Sequence, residues 1–166
     1  MNVKIIVIVY IASICAANLL IAQFGVWVSP INAFVLIGLD LSLRDRLHDK
    51  WIGSNLTLKM GAMIFSAGFI SWLINPSAGI IAVASAIAFS VSALCDTAIY
   101  QALIKKNYLF RSNASNAAGA ATDSVIFPTI AFGVFIPEVI AVQFLTKVCG
   151  AGIWTLIFNK FKRMPK

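Results

Sequence analysis

Residues 111–127 read RSNASNAAGAATDSVIF, and this stretch decides how the rest of the chain is interpreted. It begins with a basic, polar turn and continues as a run of small residues. It then places a carboxylate, Asp123, inside an apolar segment that is typical of a membrane-spanning helix. A charge in the hydrocarbon core is costly, and such residues usually mark a functional site. Asp123 is therefore the first candidate site residue.

Composition places the whole chain in the membrane. Of its 166 residues, 60% are hydrophobic and only 11% are charged, whereas soluble domains average about 25% charged residues. The mean hydropathy is +0.91. Apolar runs of roughly 20 residues, the length that spans a bilayer, follow one another with short breaks. We expect an all-α integral membrane protein that forms a single domain over residues 1–166.

The pattern predicts six transmembrane helices. The polar breaks separate helices at about 3–23, 28–43, 56–74, 79–103, 115–135 and 139–158. The second helix ends in a charged segment, 44–50, which we interpret as a loop. Asp40 and the charges that follow it are expected to form a solvated rim or a cytoplasmic gate. His48, alone in this loop, is expected to be exposed.

The basic residues fix the predicted orientation. If six helices alternate, one side receives Lys4, Arg44, Arg46, Lys50, Lys105, Lys106, Arg111, Lys160, Lys162, Arg163 and Lys166. The breaks near residues 25, 76 and 137 carry no Lys or Arg. The excess of positive charge in cytoplasmic loops therefore places both termini in the cytoplasm. The net charge of +7 is explained by topology, and we expect no nucleic-acid partner.

Two opposite charges are predicted at similar depth. Asp123 lies roughly 12 Å in from the cytoplasmic face, and Lys147 roughly 13 Å in from the outer face. In a hydrocarbon core about 30 Å thick, both are near the midplane. We hypothesise that they pair, directly or through water. The alternative is that the pair only holds the fifth and sixth helices together.

Polar and small residues share helix faces with these charges. The stripes at spacings of three and four are Asn116, Gly119, Ala120, Asp123 and Phe127; Ser85, Phe89, Ser92 and Asp96; and Gln143, Lys147, Gly150, Ala151 and Trp154. They are consistent with a lined cavity, or with tight helix packing. Carboxylates and amides could accept the adjacent N–H groups of a flat, guanine-like heterocycle. Phe89 and Phe127 could stack on its ring.

The sequence has no metal-spaced cluster, phosphate-binding loop or Ser/His/Asp set. We therefore expect no enzyme activity, no metal and no cofactor.

Four segments resemble the queuosine precursor transporter family, also called the vitamin uptake transporter (VUT) family. They are residues 16–20 (AANLL), 39–44 (LDLSLR), 84–96 (ASAIAFSVSALCD) and the segment from 112 to 124 that ends in Asp-Ser. Lys147 matches a lysine of the last helix. The resemblance covers nearly the whole chain through the order and spacing of these segments.

The resemblance implies an importer in the inner membrane. Family members import 7-deazaguanine precursors of queuosine, such as preQ0 and preQ1, and the fold would be a multi-pass helical bundle. Carried over to this chain, the substrate-site candidates are Asn18, Asp96, Asn116, Asp123 and Lys147. With Phe89 and Phe127 as stacking surfaces, these residues would bind the heterocycle during alternating access.

Two other readings stay open. The chain could be the substrate-binding S subunit of an energy-coupling vitamin transporter, which is also a small six-helix protein. It could also be a membrane protein that transports nothing. Assembly into a homo-oligomer is left open as well. The bilayer and a small-molecule 7-deazapurine are the expected partners.

Overall fold

The computed structural model describes residues 2–163, and within that range every regular element is helical. The α-helices are α1 (Val3–Phe24), α2 (Ser29–Asn32), α3 (Gly38–Trp51), α4 (Leu56–Ile74), α5 (Gly79–Ala102), α6 (Tyr108–Phe132) and α7 (Pro137–Arg163). A π-helical segment, Ala33–Ile37, joins α2 to α3 without a break. Short 3-10 turns, Gly25–Val28 and Pro76–Ala78, precede α2 and α5.

The first 49 helical residues, Val3–Trp51, form a hairpin rather than one rod. Gly25, with φ of 68°, reverses the chain in a conformation that suits glycine. The Asn32 amide then donates to the Ala17 carbonyl at 3.0 Å. Farther along, the Ser13 hydroxyl donates to Asp40. These two bonds fix α1 and α3 side by side and antiparallel.

Two helices extend at least seven residues beyond their predicted bounds, and α7 also exceeds its predicted range of 139–158. The second pass does not end at residue 43, because α3 continues to Trp51 and residues 44–50 are helical, not a loop. No glycine or proline lies between Gly38 and Gly53 to stop it. The fifth pass begins at Tyr108 rather than 115. The Asn107 side chain caps it by accepting from the Phe110 N–H at 2.9 Å.

Four stretches within the described range are long and apolar enough to cross a membrane. They are Val3–Trp51, Leu56–Ile74, Pro76–Ala102 and Pro137–Lys160. The remaining long helix, α6, is rich in Ser, Asn, Ala and Gly and packs between α5 and α7. A multi-pass membrane protein is consistent with this arrangement, because α6 packs against two helices that are apolar enough to cross a membrane.

Surface and interior have the distribution expected of a protein in lipid. Large apolar side chains point outward: Phe65 is 71% exposed, Ile8 65% and Leu145 60%. The interior instead contains aspartates, an arginine, a lysine, amides and hydroxyls. In the bilayer core polar groups must find partners within the protein, so they collect inside the bundle.

Glycines allow the backbone of α7 to contact the backbone of the second pass, which consists of α2, the π-helical segment and α3. A Cβ on Gly150 would lie 2.0 Å from the Phe34 carbonyl oxygen, and one on Gly38 would lie 2.7 Å from the Gly150 carbonyl carbon. Beside this contact the Ser42 hydroxyl donates to the Ala151 carbonyl at 2.9 Å. Only glycine at these positions permits so close an approach.

Candidate functional site

Asp123 and Lys147 form a buried ion pair between α6 and α7. The Lys147 Nζ lies 2.6 Å from the Asp123 Oδ2, and the two side chains are 2% and 4% exposed, respectively. Lys147 also donates to the Gln143 Oε1 at 2.7 Å and to the Ser124 Oγ at 3.2 Å. All three ammonium hydrogens are therefore used. The pairing hypothesised from helix depth is present, and of the two forms considered it is the direct one.

One further hydrogen bond connects this pair to α2, and another joins α1 to α4 nearby. The Gln143 amide donates to the Ser29 Oγ at 2.7 Å, which links the Lys147 side of the site to the start of α2. On the other side, the Asn18 amide donates to the Ser71 Oγ of α4 at 3.2 Å. The polar groups of α1, α2 and α7 are thus held in place by specific partners rather than by packing alone.

A cavity lies beside the ion pair. Its walls include Asn18, Phe89, Asp123, Phe127 and Lys147. The other lining residues are Ala17, Ile21, Ser29, Asn32, Ala33, Ile37, Ser85 and Gln143. Five of the seven site residues chosen from the sequence therefore surround one space.

The cavity is narrow in this conformation. Its volume is about 20 Å³. That is room for about one water molecule. A purine-sized ring would enter only after the helices move apart.

The cavity offers a buried, unpartnered acceptor and aromatic surface. Among the described residues, the Asp123 Oδ1 is buried and has no hydrogen-bond partner, although Oδ2 is held by Lys147. Phe89 is buried, and Phe127 makes an edge-to-face contact with Phe132 at a centroid distance of 6.2 Å. An oriented carboxylate oxygen beside aromatic rings is suited to a flat ligand with N–H donors.

Asp96 and Asn116 lie in a different place. They belong to a second buried group, called here the Arg44 cluster, which consists of Arg44, Asp45, Ser92, Asp96, Ser112, Ser115 and Asn116. Asp45 is its centre: it accepts from Ser112, from the Asn116 amide at 3.1 Å and from the Ser115 Oγ at 3.4 Å. Arg44 donates to the Ser92 Oγ at 3.1 Å. Neither Asp96 nor Asn116 lines the cavity.

The charged residues of α3 are not a solvated rim. Asp40 and Asp45 are completely buried, and Arg44 is 1% exposed. His48, expected in solvent, is also buried; its ring packs against Tyr100 and its Nε2 lies 3.1 Å from the Gln101 amide. Sequence reasoning missed Arg44 and Asp45 as interior residues. The signal that could have found them is the uninterrupted helical segment between the two glycines.

The family comparison agrees with the resemblance drawn from the sequence. Residues 2–160 match the model of a family described as "Putative vitamin uptake transporter". The chain belongs to this family. Neither a curated protein nor a solved structure matches it.

Membership in the vitamin uptake transporter family supports a transport role. It also agrees with the apolar exterior and the multi-pass helical architecture. The enclosed ion pair and its cavity are then the natural candidates for the substrate site, since ionisable groups inside transporters mark substrate and ion pathways.

Proposed function

We propose that this chain imports a 7-deazaguanine precursor of queuosine, such as preQ0 or preQ1, across the inner membrane. In this proposal the chain crosses the membrane six times, with α1, the α2–α3 unit, α4, α5, α6 and α7 as the crossings. Both termini are cytoplasmic, in agreement with the loops that carry the basic residues. The family and the buried ion pair beside the cavity support a small polar cargo.

The observation that carries the proposal is the unpartnered Asp123 Oδ1 in the wall of the cavity. A guanine-like edge presents a ring N–H and an exocyclic amine side by side, and a carboxylate can accept both. Phe89 and Phe127 supply apolar surface for the ring. Because Lys147 already donates three hydrogen bonds, its role is to neutralise Asp123 rather than to bind the cargo.

Transport requires the narrow cavity to open. Asp123 lies nine residues before the end of α6 and Lys147 ten after the start of α7, which places both about 14–15 Å from that end of the bundle. The site is thus near the middle of the membrane, where alternating access to the two sides is possible. The conformation described here corresponds to a nearly closed stage of such a cycle.

Uptake of labelled preQ0 and preQ1 into proteoliposomes tests the proposal. Asp123→Asn keeps the shape but removes the charged acceptor, and a hydrogen bond to a charged group contributes about 1.5–3 kcal/mol. We expect ligand affinity to fall by about 10- to 100-fold. Glu138→Gln is the matched control, because Glu138 is an exposed carboxylate at the start of α7.

Uptake at the wild-type rate by Asp123→Asn would contradict the assignment of the site. The absence of any ligand-dependent thermal shift or uptake in the wild-type protein would contradict the proposed cargo. Uptake that appears only when an ATPase module co-purifies would instead favour the S subunit of an energy-coupling transporter.

A further inference from the structure

The Arg44 cluster and Asp40, which lies one helical turn before Arg44 in α3, together hold more acidic than basic groups in a fully buried place. Asp40, Asp45 and Asp96 are each at most 1% exposed, and Arg44 is 1% exposed. Three carboxylates against one guanidinium leave an excess of two negative charges if all are ionised. Arg46 is half-buried, and its guanidinium lies over the Phe158 ring at 4.7 Å. If Arg46 is counted as well, one negative charge remains unbalanced.

Buried charges without a partner are usually neutralised by a proton. Two carboxylates that lie close together and interact seldom ionise together, and they commonly share a proton. Asp45 and Asp96 are such a pair, because both carboxyl groups are buried beside the Arg44 guanidinium. The cluster therefore retains at least one proton.

The hydrogen bonds indicate which carboxyl group carries it. Asp45 accepts from three donors, which is the environment of an ionised carboxylate. Asp96 instead has a buried Oδ1 with no partner among the described residues. The Asn116 Oδ1, in the same cluster and 1% exposed, is an acceptor that also lacks a donor there. A proton on Asp96 would give this carboxyl group a hydrogen to donate.

We propose that Asp96 is the binding site for an exchangeable proton that is moved together with the cargo. The coupling part of this proposal rests on the proposed import function, whereas proton binding does not. The site is separate from the Asp123–Lys147 cavity. Proton release and cargo release would then occur on the same side of the membrane, which is the requirement for coupled transport.

The charged and titratable groups that face Asp96 are contributed by two neighbouring helices. They are Tyr10 of α1 and Arg44 and Asp45 of α3. Around the cluster, the described residues of α6 and α7 add the neutral groups Ser112, Ser115, Asn116 and Thr155 and the titratable Tyr108, which acts on Asp45. Asp123 of α6 acts on Asp40 and Arg44, and its charge is balanced by Lys147.

The cluster is better suited to a proton than to a sodium ion. Its hydroxyl and amide groups direct their hydrogens at Asp45, whereas a metal ion needs their oxygens. The Arg44 guanidinium lies beside the same carboxylates and would repel a cation. Within residues 2–163 no group of three or more His, Cys, Asp or Glu residues is arranged to hold a metal ion.

Infrared difference spectroscopy tests proton binding without any cargo. We expect the wild-type protein at neutral pH to show the C=O stretch of a protonated carboxylic acid, to shift that band in D2O, and to lose it in Asp96→Asn. Glu138→Gln, at an exposed carboxylate, should keep the band. A wild-type spectrum without the band, or one unchanged by Asp96→Asn, overturns the proposal.

Accumulation of labelled preQ0 in proteoliposomes tests the coupling. With one proton per cargo molecule and no membrane potential, an inward pH gradient of one unit should support about tenfold accumulation. Asp96→Asn should still bind preQ0 but only equilibrate it. Gradient-driven accumulation by Asp96→Asn, or accumulation driven by sodium instead of protons, overturns coupling at Asp96. If wild-type protein moves no preQ0, the proposed function fails, and the infrared result alone decides proton binding.

Discussion

Replacing Lys147 with Met removes the positive partner of Asp123 while keeping an unbranched side chain. Three hydrogen bonds from the ammonium disappear, those to Asp123, Gln143 and Ser124. The larger effect is on Asp123, whose carboxylate stays buried with both oxygens unpaired. The substitution therefore measures how much the fold depends on compensating that charge.

Two independent estimates of the free-energy cost of this substitution agree. Breaking a buried ion pair by removing one partner costs about 3–5 kcal/mol. An uncompensated charge at the centre of a membrane helix costs about 2.5–3.5 kcal/mol on insertion scales. We expect Lys147→Met to lower the free energy of unfolding by about 3 kcal/mol. The control is Lys59→Met, since the Lys59 ammonium donates to an exposed Ser54 hydroxyl and such contacts contribute less than about 1 kcal/mol.

Unfolding in mixed micelles with increasing SDS, followed by tryptophan fluorescence, measures these values. The double variant Asp123→Asn/Lys147→Met leaves no unpaired charge and should recover most of the loss. Strictly additive costs in the two single variants and the double variant would refute the reasoning. If the double variant is stable but does not take up preQ0, the pair is needed for transport and not merely to hold α6 to α7.

Two further predictions concern the contact between α7 and the π-helical segment. Gly150→Ala should destabilise the protein by at least about 1–3 kcal/mol, because the new Cβ would lie 2.0 Å from the Phe34 carbonyl oxygen. The control is Gly61→Ala, where a new Cβ would have no neighbouring atom within 4 Å. This control should be neutral or slightly stabilising in the same unfolding assay. Trp154→Phe removes the indole donor to the Val35 carbonyl, a 3.0 Å bond, and should cost about 1 kcal/mol; an unchanged stability would show that the bond contributes nothing.

The apolar helices were predictable because the bilayer sets their length. The predicted segment 56–74 coincides with α4, and the first pass ends within one residue of its predicted end. The predicted bounds failed where polar residues are buried. At 44–50 and 108–114, charges and amides looked like loops in the sequence, yet the bundle interior provides their partners. Sequence composition alone does not show whether a polar residue faces water or another polar residue.

Part of the candidate functional site could also be predicted from the sequence. Asp123 and Lys147 have similar depth on consecutive antiparallel helices, so helix rise alone brings them together. Asn116 shares the helix face of Asp123 but is seven residues away, which is about 10 Å along the axis. A stripe on one helix face can therefore pass through two sites. Separating them requires the neighbouring helices, and Asp45 of α3 decides that Asn116 belongs to the Arg44 cluster.

Both polar sites lie at the boundary between two closely packed units. The α2–α3 pass contacts α7 backbone to backbone at Gly38 and Gly150. On the other side, α5 and α6 approach closely at Gly119, where a Cβ would be 3.1 Å from the Ser92 hydroxyl. The Asp123–Lys147 pair connects α6 to α7, and Asp45 connects α3 to α6. Opening the cavity by separating these units would disturb both sites at once, which couples them energetically.

Disulfide cross-links at one shared position test this division. The Thr155 hydroxyl of α7 lies 3.1 Å from the Ser42 hydroxyl of α3 and 3.3 Å from the Ser112 hydroxyl of α6. The cross-links are made in a background in which the native cysteines Cys15, Cys95 and Cys149 are replaced. A Ser42→Cys/Thr155→Cys cross-link lies within one unit and should leave preQ0 uptake intact. A Ser112→Cys/Thr155→Cys cross-link joins the two units and should stop uptake until it is reduced. Equal uptake by both oxidised variants would show that the helices do not move along this boundary during transport, since a covalent bond across a moving interface must block it.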